Sequence, residues 1–332
     1  MNRKDFLKAS GLTSLGLACG APVLASNTVS GFGKNPQNME GTKIEKNMEN
    51  KVELLAAYFT ISGDIYPFGP TEISPFQFKD RVEAAAKAGY KGFGIIHADM
   101  MATAEKIGLK EMKNILIANG MTKLEFEFLG GWFESGEIRK ESDLMRKEML
   151  AAADILQPTN IKIAPKLHVD ETGNNVSLMV EEFAKLAEQA GQHGTNIALE
   201  IMPFSNVRTV ETALAIASGA DHKNGGLLLD IWHINRGNIS YEKLAQVPNK
   251  YIKSIEMNDA DKYAISPLWQ DTIHRRRLPG EGVLDQKGFI DAIKKTGYKG
   301  HWGVEVLSEV VRKWPLEEMA NRTFETTMKQ FS

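Results

Sequence analysis

The chain has 332 residues, of which 42% are hydrophobic and 25% are charged, which is the composition of an ordinary globular protein with room for one large domain. Its 40 basic and 42 acidic residues leave a net charge of -2, so the chain has no basic excess of the kind that binds nucleic acid. Beyond the first residues no apolar run approaches the ~20 residues of a membrane-spanning helix, and we expect no transmembrane segment.

The first 25 residues have the layout of a signal peptide. Basic residues, Arg3 and Lys4 among them, come first, and a nearly uncharged stretch rich in Leu, Ala and Gly then closes on Val23-Leu24-Ala25. The start resembles a twin-arginine export signal with Lys4 in place of the second arginine. We therefore expect export to the periplasm or cell envelope. The alternative is that residues 1–25 form an ordinary N-terminal helix.

Cys19 is the only cysteine of the chain and lies inside this leader. It is a candidate site for a lipid anchor, although Gly16 stands where a lipoprotein signal usually has Leu. With a single cysteine we expect no disulfide and no thiol chemistry. Residues 26–50 are polar and rich in Asn, Gly and Lys, which predicts a flexible tether.

From residue 51 to residue 332, short apolar runs alternate with amphipathic stretches. The runs predicted as strands are 54–59, 92–97, 121–128, 160–164, 196–201, 225–230, 251–257 and 302–306. The stretches predicted as helices are 80–88, 105–118, 142–155, 178–190, 209–218, 241–245, 286–295 and 316–330. This alternation predicts parallel βαβ units, and their number favours a single α/β domain, a (β/α)8 TIM barrel. A doubly wound sheet is the weaker alternative, because no glycine-rich dinucleotide or phosphate loop follows the first strand.

Four acidic residues stand at or near the ends of predicted strands five to eight: Glu200, Asp230, Glu256 and Glu305. Neighbouring strands of a barrel end at one mouth, where the active sites of this fold lie. Buried carboxylates that gather there need a positive partner, and oxygen donors suit a divalent metal ion. The sequence therefore predicts a metal site, while a salt bridge to a helix lysine is the ordinary alternative for any one of these acids.

Several motifs resemble those of the xylose isomerase-like barrel family, which contains sugar-phosphate isomerases and epimerases. They are Glu200, Asp230-Ile-Trp-His233, Asn258-Asp-Ala260, Leu278-Pro-Gly-Glu-Gly282 and Trp302-Gly-Val-Glu305. The resemblance covers about residues 52–330. It implies that Glu200, Asp230 and Glu305 bind a metal ion. It also implies that Glu200 and Glu305 move a proton between adjacent sugar carbons.

The chain departs from this family at one position of the predicted metal site. Many members have His, and some have Gln, where this chain has Glu256. Ligation by oxygen alone favours one Mn²⁺ or Mg²⁺ ion over Zn²⁺. Four carboxylates around a doubly charged ion should also raise the proton affinity of at least one of them. Glu256 is thus a predicted ligand that the resemblance does not supply.

Three further residues are predicted to bind substrate. His233 resembles a family histidine that orients a ligand or contacts a hydroxyl, with a packed core histidine as the alternative. Arg276, in a run of three arginines, is a candidate clamp for an anion or hydroxyl, and a solvated basic loop is its ordinary interpretation. His97, at the end of predicted strand two, is a candidate for contact with a sugar hydroxyl. The tryptophans that are candidates for stacking on a sugar face are Trp132, Trp232 and Trp269.

The leading hypothesis is a metal-dependent isomerase or epimerase that acts on a sugar or keto-sugar, without an organic cofactor. The first alternative is a lyase or dehydratase that acts on a keto-sugar or 3-keto-glycoside through the same enolate and then expels a substituent. The second is a non-catalytic sugar-binding barrel. A related barrel family that cleaves abasic DNA needs more histidines and a basic face, which this chain lacks. The oligomeric state is left open.

The leader interpretation makes a prediction about export. Replacing both Arg3 and Lys4 with Gln removes positive charge from the start of the signal and should leave the precursor in the cytoplasm. Cell fractionation with immunoblotting measures this, with the unchanged chain as control. Unaltered delivery of the double variant to the cell envelope would contradict the interpretation.

Overall fold

Eight parallel strands close into a barrel in the computed structural model, which describes residues 52–167 and 175–332. The strands of the chain are β1 (Leu54–Ala56), β2 (Gly92–Ile96), β3 (Lys123–Leu129), β4 (Asn160–Ile163), β5 (Asn196–Glu200), β6 (Gly225–Asp230), β7 (Ile252–Met257), β8 (Asp259–Ala260), β9 (Arg276–Arg277) and β10 (Trp302–Val304). The barrel runs from β1 through β7 in sequence order and closes through β10, which pairs with both β7 and β1. β8 and β9 form a small antiparallel hairpin. The predicted barrel is confirmed.

Helices alternate with the strands, and the longer ones pack against the outside of the barrel. They are α1 (Phe78–Ala88), α2 (His97–Ile107), α3 (Leu109–Ala118), α4 (Gly136–Leu156), α5 (Val176–Gln192), α6 (Val210–Ala220), α7 (Ile231–Arg236), α8 (Tyr241–Leu244), α9 (Leu268–His274), α10 (Gln286–Lys295) and α11 (Leu316–Met328). The helix predicted at 105–118 is wrong in its extent, because Gly108 has φ of +80° and separates α2 from α3. Three helices were not predicted: α2, α7 and α9.

The predicted leader, the tether and Cys19 lie outside the described residues. Within the described ranges, none of the helices combines the length and the apolar character that crossing a membrane requires.

The barrel has an apolar outer core and a charged interior. Apolar strand residues such as Ile161 and Leu229 pack toward the helices and are buried. The residues that alternate with them point inward, since side chains of a strand alternate between its faces. Lys162 of β4 contacts Glu256 of β7 although β5 and β6 separate these strands, so the contact crosses the interior.

Gly94 in β2 leaves room for the inward-pointing carboxylate of Glu127. A Cβ atom on Gly94 would lie 2.4 Å from Glu127 Oε1 and 2.8 Å from the backbone nitrogen of Tyr58. That same nitrogen donates a hydrogen bond to Glu127 Oε1 over 2.9 Å. The missing side chain at position 94 thus allows a buried carboxylate to reach the backbone of the segment after β1.

We predict that Gly94→Ala destabilises the barrel by about 1–3 kcal/mol, because an added methyl group must displace backbone and a hydrogen-bonded carboxylate. Urea unfolding followed by circular dichroism measures the free energy of unfolding. Gly130→Ala is the matched control, since its nearest neighbour would be Ala164 Cβ at 3.9 Å, and it should stay within about 0.5 kcal/mol of the parent. Equal stability of the two variants would contradict the prediction.

Candidate metal centre at the barrel mouth

Four carboxylates meet at the mouth of the barrel, and we call them the acid cluster: Glu200, Asp230, Glu256 and Glu305. One oxygen from each lies within 4.8 Å of the others. Glu200 and Asp230 end β5 and β6, Glu256 lies near the end of β7, and Glu305 directly follows β10. These four strands are neighbours in the barrel, in the order β5, β6, β7, β10. The prediction that these side chains converge is therefore confirmed, and all four are buried.

Asp230 is fixed by both of its carboxylate oxygens. It is the N-cap of α7, where Oδ1 accepts hydrogen bonds from the backbone nitrogens of Trp232 at 2.7 Å and His233 at 3.1 Å. Oδ2 accepts from Asn258 Nδ2 and from Arg276, each over 2.8 Å. The short helix α7 thus explains the Asp-Ile-Trp-His motif, because the aspartate begins the helix that carries His233.

Arg276 binds two members of the acid cluster. One guanidinium nitrogen lies 2.8 Å from both Asp230 Oδ2 and Glu305 Oε2, and the other donates to Thr272 Oγ1 over 2.9 Å. Burial alone would lower the pKa of Arg276, but the charges of Asp230 and Glu305 raise it overall. The side chain is 1% exposed. Arg276 therefore reaches the predicted site, where it holds carboxylates, and its contact with a substrate stays a prediction.

Lys162 is a second buried cation at the site, and it was not predicted from the sequence. Its Nζ contacts Glu256 Oε1 and lies 3.1 Å from Glu127 Oε1 and 3.7 Å from Glu125 Oε2. Burial opposes its charge, yet these glutamates raise the pKa of Lys162 well above its ordinary value. One feature of the sequence could have revealed Lys162. Side chains of a strand alternate between its faces, so Lys162 lies on the same face of β4 as the polar Asn160 and opposite the apolar Ile161.

His233 lies between two of the site residues, while the described contact of His97 is with a helix. His233 Nε2 is 3.1 Å from Glu200 Oε1 and 3.2 Å from Arg276, and the imidazole is 2% exposed. His97 begins α2, and its Nε2 lies 2.7 Å from Glu148 of α4. The structure thus brings His233 to the predicted site, and contact of His97 with a substrate stays a prediction.

Two members of the acid cluster have a strongly raised proton affinity. Burial, followed by the charge of Glu305, raises the pKa of Glu256 well above its ordinary range despite Lys162. Burial likewise raises the pKa of Glu305 to about 8, against the opposing charges of Arg276 and Lys162. Burial and the neighbouring negative charges therefore favour protonation of these two acids, which is the direction predicted for four carboxylates around one doubly charged ion.

The residues present fit a divalent cation. Glu256 Oε1 contacts Lys162, whereas Glu256 Oε2 is buried without a hydrogen-bond partner. An unpaired buried carboxylate oxygen is costly unless something positive binds it. Glu256 also offers one oxygen to a set of four donors, together with one oxygen each from Glu200, Asp230 and Glu305. Such an all-oxygen set is typical of Mg²⁺ or Mn²⁺ sites.

Comparison with known proteins finds similar sequences in two classes of enzyme, dehydratases and isomerases. The 3-dehydroshikimate dehydratase of Pseudomonas putida is 25% identical over 246 residues, which are 73% of this chain and 38% of that protein. The inosose isomerase of Bacillus velezensis is 30% identical over 149 residues, which are 44% of this chain and 52% of that protein. The chain thus spans about half or less of the length of these relatives.

A solved structure and a family model agree on the fold. The crystal structure described as the IOLI protein with a binding zinc atom superposes with a TM-score of 0.74 at 21% identity, covering 84% of this chain and 97% of that one. The family model for the xylose isomerase-like TIM barrel matches residues 82–329. That match includes every member of the acid cluster. The chain belongs to the xylose isomerase-like TIM-barrel family.

Proposed function

We propose that this chain is a metal-dependent enzyme that removes and returns a proton between adjacent carbons of a sugar or keto-sugar, as an isomerase or epimerase. The observation that carries the proposal is the convergence of four buried carboxylates within 4.8 Å at the barrel mouth. The 30% sequence identity to an inosose isomerase over 149 residues supports the proposal. As part of the same proposal, the enzyme acts in the periplasm or cell envelope, which the leader-like start of the sequence supports.

Glu200, Asp230, Glu256 and Glu305 would hold the metal ion. When bound, such an ion withdraws electrons from a carbonyl and acidifies the neighbouring C–H bond. Asp230 and Glu256 lie on β6 and β7, the two middle strands of the four that carry the acid cluster, so Glu200 and Glu305 flank them. We assign these two acids to ligation alone.

Glu200 and Glu305 stand at the two ends of the row of strands, so they can face a substrate from two sides. Each has one partner that orients it: His233 lies 3.1 Å from Glu200, and Arg276 lies 2.8 Å from Glu305. One carboxylate removes the proton from carbon, and the other delivers a proton to the neighbouring carbon or to the opposite face. We therefore assign proton transfer to this pair.

Elimination is the second candidate function, and the dehydratase relative favours it. The first step is the same, since a carboxylate removes the proton next to a carbonyl group. The electron pair then expels a substituent from the next carbon, and a protonated acid supplies the proton that the leaving group needs. Product analysis by NMR separates the two reactions, because only elimination yields an unsaturated sugar and a released group.

The purified chain should bind about one divalent ion. Saturation with Mn²⁺ or Mg²⁺ at a hundredfold excess over Kd should stabilise the fold by about 2.7 kcal/mol, because the ion binds only the assembled acid cluster. Calorimetric titration and thermal unfolding measure both effects. Asp230→Asn should weaken binding, whereas Glu309→Gln, an exposed acid just beyond the cluster, should not. The proposal would be contradicted if the purified chain bound no divalent ion and its unfolding temperature did not change when the ion was added.

Glu305→Gln should lower the turnover number by about 10²- to 10⁴-fold at saturating Mn²⁺, since the amide keeps an oxygen donor but cannot accept the proton. Glu200→Gln should behave likewise. Exchange of carbon-bound hydrogen with solvent, followed by NMR on a panel of free and 3-keto sugars, measures the rate. Glu309→Gln is again the matched control, and circular dichroism checks the fold. Full recovery of both variants in excess metal would show that these glutamates only bind the ion.

A further inference from the structure

A row of aromatic rings leads away from the acid cluster along the barrel mouth. The aromatic row consists of Phe204, in the loop after β5, Trp269 of α9, and Phe68, in the segment after β1. The ring centroids of Phe204 and Trp269 are 5.7 Å apart, and those of Trp269 and Phe68 are 5.5 Å apart. Three segments that are distant in sequence thus place their aromatic side chains next to each other.

The inner end of the aromatic row meets the candidate active site. The ring of Phe204 lies 5.6 Å from the imidazole of His233 in an edge-to-face arrangement. His233 in turn lies 3.1 Å from Glu200, one of the two acids assigned to proton transfer. A molecule whose reacting carbon lies at Glu200 therefore has the aromatic row beside its remaining atoms.

The outer end of the aromatic row is open to solvent. Phe68 is 59% exposed, while Phe204 and Trp269 are half-buried. A large aromatic side chain that stays exposed beside an active-site mouth is typical of a binding surface. The row contains three aromatic side chains in succession. It therefore extends beyond the space that one sugar ring at the acid cluster would occupy.

Two arginines, one after α9 and one after β10, are paired with acids, which makes them less available to an anionic substituent such as phosphate. Arg277 lies 2.9 Å from Asp261, and Arg312 lies 2.7 Å from Asp64, so each of these cations is already held by an acid. Aromatic rings, in contrast, pack against the apolar faces of sugar and aryl rings. The local chemistry thus favours a neutral ring over a charged group.

We propose that the aromatic row is a subsite for a ring that is joined through a glycosidic oxygen to the sugar at the acid cluster. The substrate class is then a glycoside rather than a free monosaccharide or a sugar phosphate. This inference deepens the proposed function and rests on it for the placement of the reacting sugar. Among the described residues, the subsite is defined by Phe204, Trp269 and Phe68.

Binding of paired probes tests the subsite without any turnover. Methyl and phenyl glycosides of glucose, galactose, mannose and xylose are titrated calorimetrically into the full chain in the presence of Mg²⁺. At least one phenyl glycoside should bind about three- to tenfold more tightly than its methyl partner, which is the gain expected from one aromatic contact. Trp269→Ala should abolish this advantage, and Trp269→Phe should keep most of it.

Further variants control for misfolding. Phe68→Ala removes a mostly exposed ring, so it should fold normally and still reduce the phenyl advantage. Tyr263→Ala is the matched control from the segment between β8 and β9, which also carries Trp269, because Tyr263 is 78% exposed and its ring contacts Lys262. This variant should bind both probes as the parent does.

Each outcome decides the inference. It is overturned if no phenyl glycoside binds, if phenyl and methyl partners bind equally, or if the advantage survives in both Trp269→Ala and Phe68→Ala. Failure of the proposed function looks different, since hydrogen exchange or metal binding would then be absent while the phenyl advantage remained.

Discussion

The burial of several carboxylates in one barrel is the constraint on which the rest of this structure depends. An ionised carboxylate leaves water at a cost of several kcal/mol unless a positive group compensates it. The chain supplies two permanent cations, Lys162 and Arg276, and each bridges acids from different strands. They are too few for all the acids present, and the remaining negative charge gathers at the mouth. This imbalance is the physical reason why the acid cluster could hold a divalent ion.

The buried glutamates at the two ends of the barrel interior differ in pKa because they have different hydrogen-bonding and charged partners. Deeper in the barrel, Glu125 accepts hydrogen bonds from Asn160 and Ser254, each over 2.8 Å, and lies 3.0 Å from His301. Burial would raise the pKa of Glu125, but His301 and Lys162 lower it to about 2. At the mouth, the pKa of Glu305 rises to about 8 because burial and neighbouring acids outweigh its cations. Glu125 is thus held in its charged form by its partners, whereas Glu305 at the mouth has a raised proton affinity, as the proposed proton transfer requires.

Family membership establishes the barrel fold. It does not distinguish between isomerisation and elimination. The relatives include a dehydratase and an isomerase, and both kinds of reaction can begin by removing a proton next to a carbonyl group. The product then depends on whether a proton returns or a substituent leaves, and on which side chains lie beside the reacting carbon. In this chain the ring of Phe204, in the segment after β5, contacts both His233 and Trp269 of the segment after β8, and loops at this face carry the differences among enzymes of the fold.

The sequence by itself determined the barrel and the position of four acids. Alternating apolar and amphipathic stretches predict parallel βαβ units, and the convergence of all four members of the acid cluster follows from the rule that neighbouring strands end at one mouth. Only the tertiary structure decided which cation meets which acid. Lys162 and Glu256 are 94 residues apart and lie on strands that do not pair, so no local pattern connects them. The same holds for Arg276, which the hairpin of β8 and β9 turns inward, and for His97, which α2 carries to Glu148. Strand periodicity fixes the face on which a side chain lies, whereas contacts across a barrel depend on the closure of the whole sheet.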